Sequence, residues 1–261
     1  MIWWPAYGSD VMDVYWLEQR QSDVPVGNDW LSTDELDRLN AMRVPKRRAD
    51  WRLGRWTAKR ALSIYLKVAR DPQSLASIEI RPAASGVPEV FIAGGPAAAS
   101  ISLSHSNGAA LCAIAPFGTA LGCDLEFIEP RSDAFVADYF TTEEQALVAQ
   151  AATADRWWLL ALLWSAKEST LKALHEGLRM GTRSVTVSLI ESGITPTADM
   201  EQCSIQSDLT FRQRQPIWHP FEVRYTNGQV FQGWWQRAGD LLRTLVAAPP
   251  PLPPIALKIP A

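Results

Sequence analysis

The sequence predicts an α+β protein built as a pseudo-dimer of two similar α+β subdomains, with a functional cleft at their interface. Segments with the alternation typical of strands are interspersed with long helical segments. A Trp-x-Ala-Lys pattern occurs twice, at residues 56–59 and 164–167. A helix-capping signal precedes each copy, at residues 32–35 and 141–144, so two signals recur in the same order at nearly the same offset. This repetition favours duplication of one unit, and the seam between two such units is a natural cleft.

The same patterns suggest a division of the chain. We expect an N-terminal α+β subdomain over residues 1–120 and a C-terminal α+β subdomain over 121–248. A proline-rich tail over 249–261 favours polyproline II and need not join the core. Helices are predicted over residues 33–42, 49–68 and 157–174, with a further helix that begins after 141. Strands are predicted at residues 13–17, 78–80, 101–105, 109–115, 121–128, 185–190, 204–212, 221–225, 230–234 and 242–246.

Composition narrows the class of protein. The chain has 261 residues, of which 47% are hydrophobic and 20% charged, which is typical of a soluble globular protein. A net charge of −3 gives no reason to expect a nucleic-acid or membrane partner. The cysteines, Cys112, Cys123 and Cys203, lack metal-ligand spacing and are expected to be reduced. No apolar run reaches the roughly 18 residues of a membrane span, and residues 1–10 lack the pattern of a signal peptide, so we expect a cytoplasmic protein.

The helix predicted over residues 157–174 carries one polar seam on an apolar body. Trp164, Glu168 and Lys172 follow at i, i+4 and i+8, so they share a face. An isolated pair of this kind is usually a solvated surface pair, but the Leu and Trp neighbours favour entry into a site or an interface. The first copy has Arg60 where the second has Glu168, so only the C-terminal half carries the acid.

A pair of carboxylates lies two residues apart on a predicted strand. Asp124 and Glu126 therefore point to the same face, where they repel each other and tend to hold a proton or a cation. Oxygen ligands without His or Cys suit Mg²⁺, commonly together with substrate phosphates. The alternative is a polar strand face in water, and the pair by itself leaves both interpretations open.

Two further segments could bind phosphate. Ser104-His105-Ser106 ends a strand beside an Asn-Gly turn, where hydroxyl, imidazole and backbone N–H groups make a plausible phosphate cradle; a histidine satisfied within the turn is the alternative. Lys46-Arg47-Arg48 is either a solvated basic face or a site for a terminal phosphate. Arg52 and Arg55 on the following helix are additional candidates.

Taken together, the ordered motifs resemble those of a known family. Ser104-His105-Ser106, then Gly122-x-Asp124-x-Glu126, then Trp164-x-x-Lys167-Glu168-x-x-x-Lys172 are similar to the three ordered elements of the surfactin-type (Sfp-type) 4′-phosphopantetheinyl transferases. The resemblance implies two similar subdomains with an active site at their interface, where coenzyme A binds. It implies an Mg²⁺-dependent holo-[acyl-carrier-protein] synthase, which transfers 4′-phosphopantetheine from coenzyme A to a serine of an apo acyl or peptidyl carrier protein and releases adenosine 3′,5′-bisphosphate.

The resemblance also implies roles for individual residues. Asp124, Glu126 and Glu168 match the family's Mg²⁺ ligands, and Lys172 matches the lysine near the pyrophosphate. Glu168 is the candidate to take the proton of the carrier serine. The residues expected to contact the phosphates of coenzyme A are Ser104, His105, Lys46, Arg47 and Arg48.

One position departs from the family pattern. The family commonly has Gly-Lys-Pro where this chain has Gly86-Val87-Pro88, so a phosphate contact is missing and Arg81 is the candidate replacement. The departure supports one rival hypothesis, a non-catalytic coenzyme A or carrier-protein binding module on the same fold. The intact acids and Lys172 favour an active enzyme, which we expect to be a monomer.

Overall fold

The computed structural model describes residues 11–175, 181–190 and 217–259. Within them the predicted α+β class is confirmed. The strand predicted at 204–212, Cys203 and the N-terminal ten residues lie outside the described ranges. No helix in the described residues is both long and apolar enough to cross a membrane.

The first half packs two helices on a small antiparallel sheet. Its elements are β1 (Tyr15–Arg20), α1 (Thr33–Ala41), α2 (Pro45–Tyr65), α3 (Pro72–Ala76), β2 (Ile78–Pro82), β3 (Pro88–Ile92), β4 (Gly95–Pro96), β5 (Ala99–Ser106) and β6 (Ala109–Pro116). β6 lies between β1 and β5 and pairs antiparallel with both, while β2, β3 and β4 form a separate three-stranded sheet. The apolar face of α2, with Ala58, Ala61 and Leu62 fully buried, closes the core of this half.

The second half repeats this order with a continuous sheet. Its elements are β7 (Ala120–Phe127), α4 (Asp133–Tyr139), α5 (Thr142–Gln150), α6 (Arg156–Ala173), β8 (Val185–Leu189), β9 (His219–Tyr225), β10 (Val230–Ala238) and β11 (Leu241–Ala248). The strand order is β7-β11-β10-β9-β8, so β7, β11 and β10 correspond to β1, β6 and β5. The long helices also end alike, because Lys67 (φ 56°) and His175 (φ 61°) both take the left-handed conformation just beyond α2 and α6.

The duplication extends to a buried ion pair in each half. The capping glutamates Glu35 and Glu144 each bind the lysine of the repeated motif, with Glu35 2.6 Å from Lys59 and Glu144 2.7 Å from Lys167. Each carboxylate also accepts a hydrogen bond from a backbone N–H, at 3.4 Å from β2 and at 2.9 Å from β8. Each lysine donates to two backbone carbonyls as well. A charge buried in this way needs such partners, so the motif lysines fasten each long helix to its neighbouring loop and strand.

The two halves meet through the outer faces of their sheets. Small and branched side chains from β6, β7 and β11 form one apolar cluster there, which includes Leu111, Ala113, Leu125 and Leu245. β7 follows β6 after a short turn, as the sequence predicts, but it pairs with β11 of the second sheet. The turn at Phe117-Gly118 therefore passes from one sheet to the other.

The proline-rich tail contributes to the first sheet. β12 (Ile255–Ala256) pairs parallel to β1, and the indole N–H of Trp234 donates to the carbonyl of Pro251 at 2.9 Å. The expectation that the tail need not join the core therefore does not describe residues 251–257. The backbone N–H groups of Leu252, Ile255 and Leu257 donate to the carbonyls of Met12, Val14 and Trp16, respectively.

Three local features differ from the sequence-based prediction. α2 begins at Pro45 instead of Ala49, because proline suits the first helical position, where no N–H acceptor is needed. α2 also ends at Tyr65, three residues before the predicted end at 68, and Asp71 caps α3. The sequence patterns did not indicate α3, α4, β3 or β4, which are all seven residues or shorter.

Candidate active site

The motif residues of the second half meet where α6 crosses β7. Gly122 permits this crossing, because a Cβ atom at that position would lie 1.7 Å from the carbonyl oxygen of Ser169. With the helix this close, the ammonium group of Lys172 reaches Oδ1 of Asp124 at 2.8 Å and the carbonyl of Cys123 at 2.9 Å. The glycine of the Gly-x-Asp-x-Glu element is thus explained by helix packing.

Asp124 is the centre of this cluster. The hydroxyl of Ser104 donates to Oδ1 of Asp124 at 2.8 Å, so that oxygen accepts from both Ser104 and Lys172. Oδ2 is buried and has no hydrogen-bond partner among the described residues. A buried carboxylate oxygen without a donor is costly in a folded protein, and a bound cation is one means of satisfying it.

Glu126 is held from both sides. The indole N–H of Trp164 donates to Oε1 at 3.0 Å, and Arg131 lies 3.2 Å from Oε2. Burial, reinforced by the charge of Asp124, raises the pKa of Glu126 to about 7, although Arg131 works in the opposite direction. The Glu126 carboxyl therefore changes protonation near neutral pH when no cation is bound.

Glu168 lies one turn before Lys172 on α6. Its Oε1 is buried and has no hydrogen-bond partner among the described residues. Burial and then the charge of Asp124 raise the pKa of Glu168, while Lys172 opposes the shift. A carboxylate with a raised pKa and a free oxygen is suited to accept a proton.

The carboxylates of Asp124, Glu126 and Glu168 are suitable ligands for a hard cation, although they do not by themselves form a complete coordination site. In the described part of the chain, no three His, Cys, Asp or Glu side chains come close enough to hold a metal ion together. Two of the acids nevertheless leave a buried oxygen free, and every candidate ligand is an oxygen. Mg²⁺ commonly takes one or two carboxylates and completes its coordination with water and substrate phosphates, so this donor set suits it.

A cavity of about 510 Å³ opens beside the cluster, between α2, the β2–β3 turn, β5 and the end of α6. Its cationic lining comes from Arg38, Arg55, Arg81 and Lys172, to which two histidines, His105 and His175, are added. Asp50 is the acid on this lining. Trp51, Pro82, Val87 and Pro88 add apolar surface. The cavity thus offers cationic groups to an anion and an apolar wall to a flat ring.

Four of the residues predicted to bind phosphate or pyrophosphate line this cavity, namely Arg55, Arg81, His105 and Lys172. Ser104 instead turns to Asp124. Arg81 is also bound to Glu79 at 2.7 Å and lies over the ring of Phe91.

The prediction for Lys46, Arg47 and Arg48 is not supported, since none of them is among the residues that line the cavity. Because α2 begins at Pro45, they lie in its first turn. There Lys46 pairs with Asp50 at 2.9 Å, and the guanidinium of Arg48 donates to the carbonyls of Leu39 and Met42. The contacts of Arg48 therefore provide hydrogen-bond donors for backbone carbonyls at the end of α1.

No pattern in the sequence indicated Arg38, Trp51 or His175 as residues of the site. Arg55 was considered, and the structure places it on the cavity, four residues before Lys59. Its guanidinium lies 3.7 Å from Glu35 and over the ring of Trp51, and burial lowers the pKa of Arg55 to about 10. The i, i+4 spacing of the pairs Asp50–Gly54 and Trp51–Arg55 was the available signal that these residues share a face.

Comparison with known proteins indicates the class of protein to which the chain is similar. Residues 120–221, from the start of β7 to the first residues of β9, match the family described as the 4′-phosphopantetheinyl transferase superfamily. The chain is also 28% identical over 183 residues to the 4′-phosphopantetheinyl transferase HetI of Nostoc sp., an alignment that covers 69% of this chain and 72% of that protein.

The fold, the site and these similarities define a transferase enzyme. The second half of the chain is similar to the 4′-phosphopantetheinyl transferase superfamily, and the activity that these similarities support is phosphopantetheinyl transfer. The rival hypothesis of a non-catalytic binding module is not favoured.

Proposed function

We propose that this protein is an Sfp-type enzyme that uses coenzyme A as donor and a serine of an apo acyl or peptidyl carrier protein as acceptor, with adenosine 3′,5′-bisphosphate as the second product. The observation that carries the proposal is the position of Lys172. Its ammonium group contacts Asp124, and Lys172 is also one of the residues that line the cationic cavity. Coenzyme A fits this adjacency, because its reacting pyrophosphate directly adjoins a nucleoside that carries a further phosphate.

The nucleotide end of coenzyme A is assigned to the cavity. Arg38, Arg55, Arg81 and His105 are the groups available to its phosphates, since guanidinium and phosphate form strong charge-assisted hydrogen bonds. Arg81 takes over from the lysine that Val87 replaces in the family pattern. This assignment supersedes the one made from sequence for the basic segment 46–48.

The acidic cluster is assigned to Mg²⁺. Asp124, Glu126 and Glu168 are the residues that hold it. Asp124 and Glu168 each have a buried oxygen without a hydrogen-bond partner among the described residues, and burial raises the pKa of Glu126 and Glu168. When bound, Mg²⁺ neutralises negative charge on the pyrophosphate during phosphoryl transfer.

Glu168 and Lys172 are assigned separate roles in the transfer: Glu168 accepts a proton, and Lys172 stabilises negative charge. The hydroxyl oxygen of the carrier serine attacks the phosphorus that bears the pantetheine arm, and Glu168 accepts the proton of that hydroxyl. A phosphodiester bond forms to the serine, and the P–O bond to adenosine 3′,5′-bisphosphate breaks. Lys172, one turn further along α6, stabilises the phosphate that leaves.

We further propose that residues 1–120 and 121–248 act as the two subdomains of one monomer in the cytoplasm, with the tail from residue 249 closing the first sheet. The carrier protein then approaches the seam from outside and presents its serine to Glu168. Size-exclusion chromatography with light scattering tests the monomeric state.

The direct experiment is to incubate the protein with coenzyme A, Mg²⁺ and apo carrier proteins of the fatty-acid, polyketide and peptide synthase types, and to weigh each carrier. We expect one carrier or more to gain the mass of one phosphopantetheine arm, and carriers with the acceptor serine changed to alanine to gain none. Unchanged mass for every carrier, combined with calorimetric binding of coenzyme A, would instead indicate the binding module.

A further inference from the structure

We propose that Ser104 is a positioning residue for Asp124 and does not bind the nucleotide. The inference rests on the proposed function, because it assigns to Asp124 a free oxygen that serves as a metal ligand. It departs from the role in phosphate binding that sequence analysis gave to this serine.

The contact crosses from one half of the protein to the other. Ser104 lies on β5 of the first half, and Asp124 lies on β7 of the second. The distance from Oγ to Oδ1 is 2.8 Å, and the two residues are only 8% and 4% exposed. A serine hydroxyl has one hydrogen to donate, and here that hydrogen is directed to Asp124.

The cavity does not use Ser104. Leu103 and His105, its neighbours on β5, both line the cavity, whereas Ser104 is not among the lining residues. Successive side chains of a strand point to opposite faces, so the imidazole of His105 and the hydroxyl of Ser104 are directed to different surroundings.

The consequence is a fixed orientation of the carboxylate. Ser104 and Lys172 both donate to Oδ1, whereas Oδ2 is buried and has no partner among the described residues. Two donors on one oxygen restrict rotation of the carboxylate and present the other oxygen to a cation. Without the hydroxyl, Lys172 alone would orient Asp124. Partners that orient a ligand in this way typically contribute about 10- to 100-fold to metal affinity.

The test compares Ser104→Ala, Ser104→Val and Ser104→Thr in the full-length protein. Thr keeps the hydroxyl, and Val has nearly the same shape without it. Ser100→Ala is the matched control, since Ser100 lies on the same strand and bonds the backbone N–H of Gly118. Binding of Mn²⁺, with and without coenzyme A, is measured by electron paramagnetic resonance, and the KM for coenzyme A is measured at saturating Mg²⁺.

We expect Ser104→Ala and Ser104→Val to weaken Mn²⁺ binding by about 10-fold or more, with Ser104→Thr and Ser100→Ala near wild type. The KM for coenzyme A should stay within about twofold, because saturating Mg²⁺ compensates the lost orientation. Unchanged Mn²⁺ affinity with a raised KM would overturn the positioning role and restore the phosphate contact, while leaving the proposed function intact. If the wild type transfers phosphopantetheine yet binds no Mn²⁺ in either condition, the metal assignment fails and this inference fails with it.

Discussion

Lys172 and Asp124 form the ion pair that joins α6 to β7, with Nζ 2.8 Å from Oδ1. Burial lowers the pKa of Lys172, but Asp124, Cys123 and Glu168 outweigh that effect, so the pKa is raised overall and the amine stays charged. Lys172 is also one of the residues that line the cationic cavity. One residue therefore connects Asp124 to the place assigned to the nucleotide.

Glu168→Gln should abolish most of the transfer activity while keeping the fold. The amide has nearly the same shape as the carboxylate but cannot accept the serine proton, and loss of a general base typically costs about 10²- to 10⁴-fold in rate. The measurement is the initial rate of carrier modification by intact mass. Glu143→Gln, an exposed position on α5, is the control. Wild-type transfer by Glu168→Gln would show that another group takes the proton.

Arg81→Ala should raise the KM for coenzyme A with little change in kcat. The guanidinium lines the cavity, and a charge-assisted contact to phosphate contributes roughly 1.5–3 kcal/mol, which corresponds to about 10- to 100-fold in affinity. Steady-state kinetics with varied coenzyme A give both constants. Arg47→Ala removes the same charge from an exposed position that does not line the cavity and should behave as wild type. A raised KM for Arg47→Ala together with an unchanged KM for Arg81→Ala would instead place the phosphate site at residues 46–48.

Metal affinity should depend on pH around neutrality. Burial and Asp124 raise the pKa of Glu126 to about 7, so below this pH a proton competes with the cation for the carboxylate. Mn²⁺ binding followed by electron paramagnetic resonance should weaken by up to about tenfold per pH unit below 7 and level off above it. Glu126→Gln should remove this dependence. A flat profile between pH 6 and 8 in the wild type would contradict the assignment of Glu126.

The same shift affects the stability of the metal-free protein. A carboxyl whose folded-state pKa lies above its value of 4.5 in the unfolded chain favours folding while it is protonated. The contribution of Glu126 is therefore complete below about pH 4.5 and is lost as the pH rises through 7. We expect urea unfolding without metal to show this loss relative to Glu126→Gln, and added Mg²⁺ to recover more stability at pH 8 than at pH 6.

Lys59→Met should destabilise the fold of the first half. Lys59 is fully buried and pairs with Glu35 at 2.6 Å, so its removal leaves the buried carboxylate with only the more distant Arg55, at 3.7 Å, at a cost of about 3–5 kcal/mol in the free energy of unfolding. Urea unfolding measures the change. Lys46→Met breaks an exposed pair with Asp50 and should cost less than about 1 kcal/mol. Equal effects of the two variants would contradict a structural role for the repeated motif.

Local patterns identified the elements that carry the site. The capping serine and threonine mark the starts of α1 and α5, because each satisfies an N–H at the helix start within the same four residues. Two residues along a strand, and four or eight along a helix, bring Asp124 and Glu126 to one face and Glu168 and Lys172 to another. The paired Trp-x-Ala-Lys segments revealed the duplication, since each lysine fulfils the same role in its half.

By itself, then, the sequence determined the α+β class, the repeat and the helix that bears Glu168, because these depend on residues close together in the chain. Tertiary structure alone decided that β7 joins β11, that Arg38 and His175 line the cavity, and that the hydroxyl of Ser104 bonds Asp124. Such contacts depend on how two sheets close over a shared apolar cluster. The packing of the two sheets depends on burying many side chains that lie far apart in the sequence, so it produces no periodic pattern along the chain.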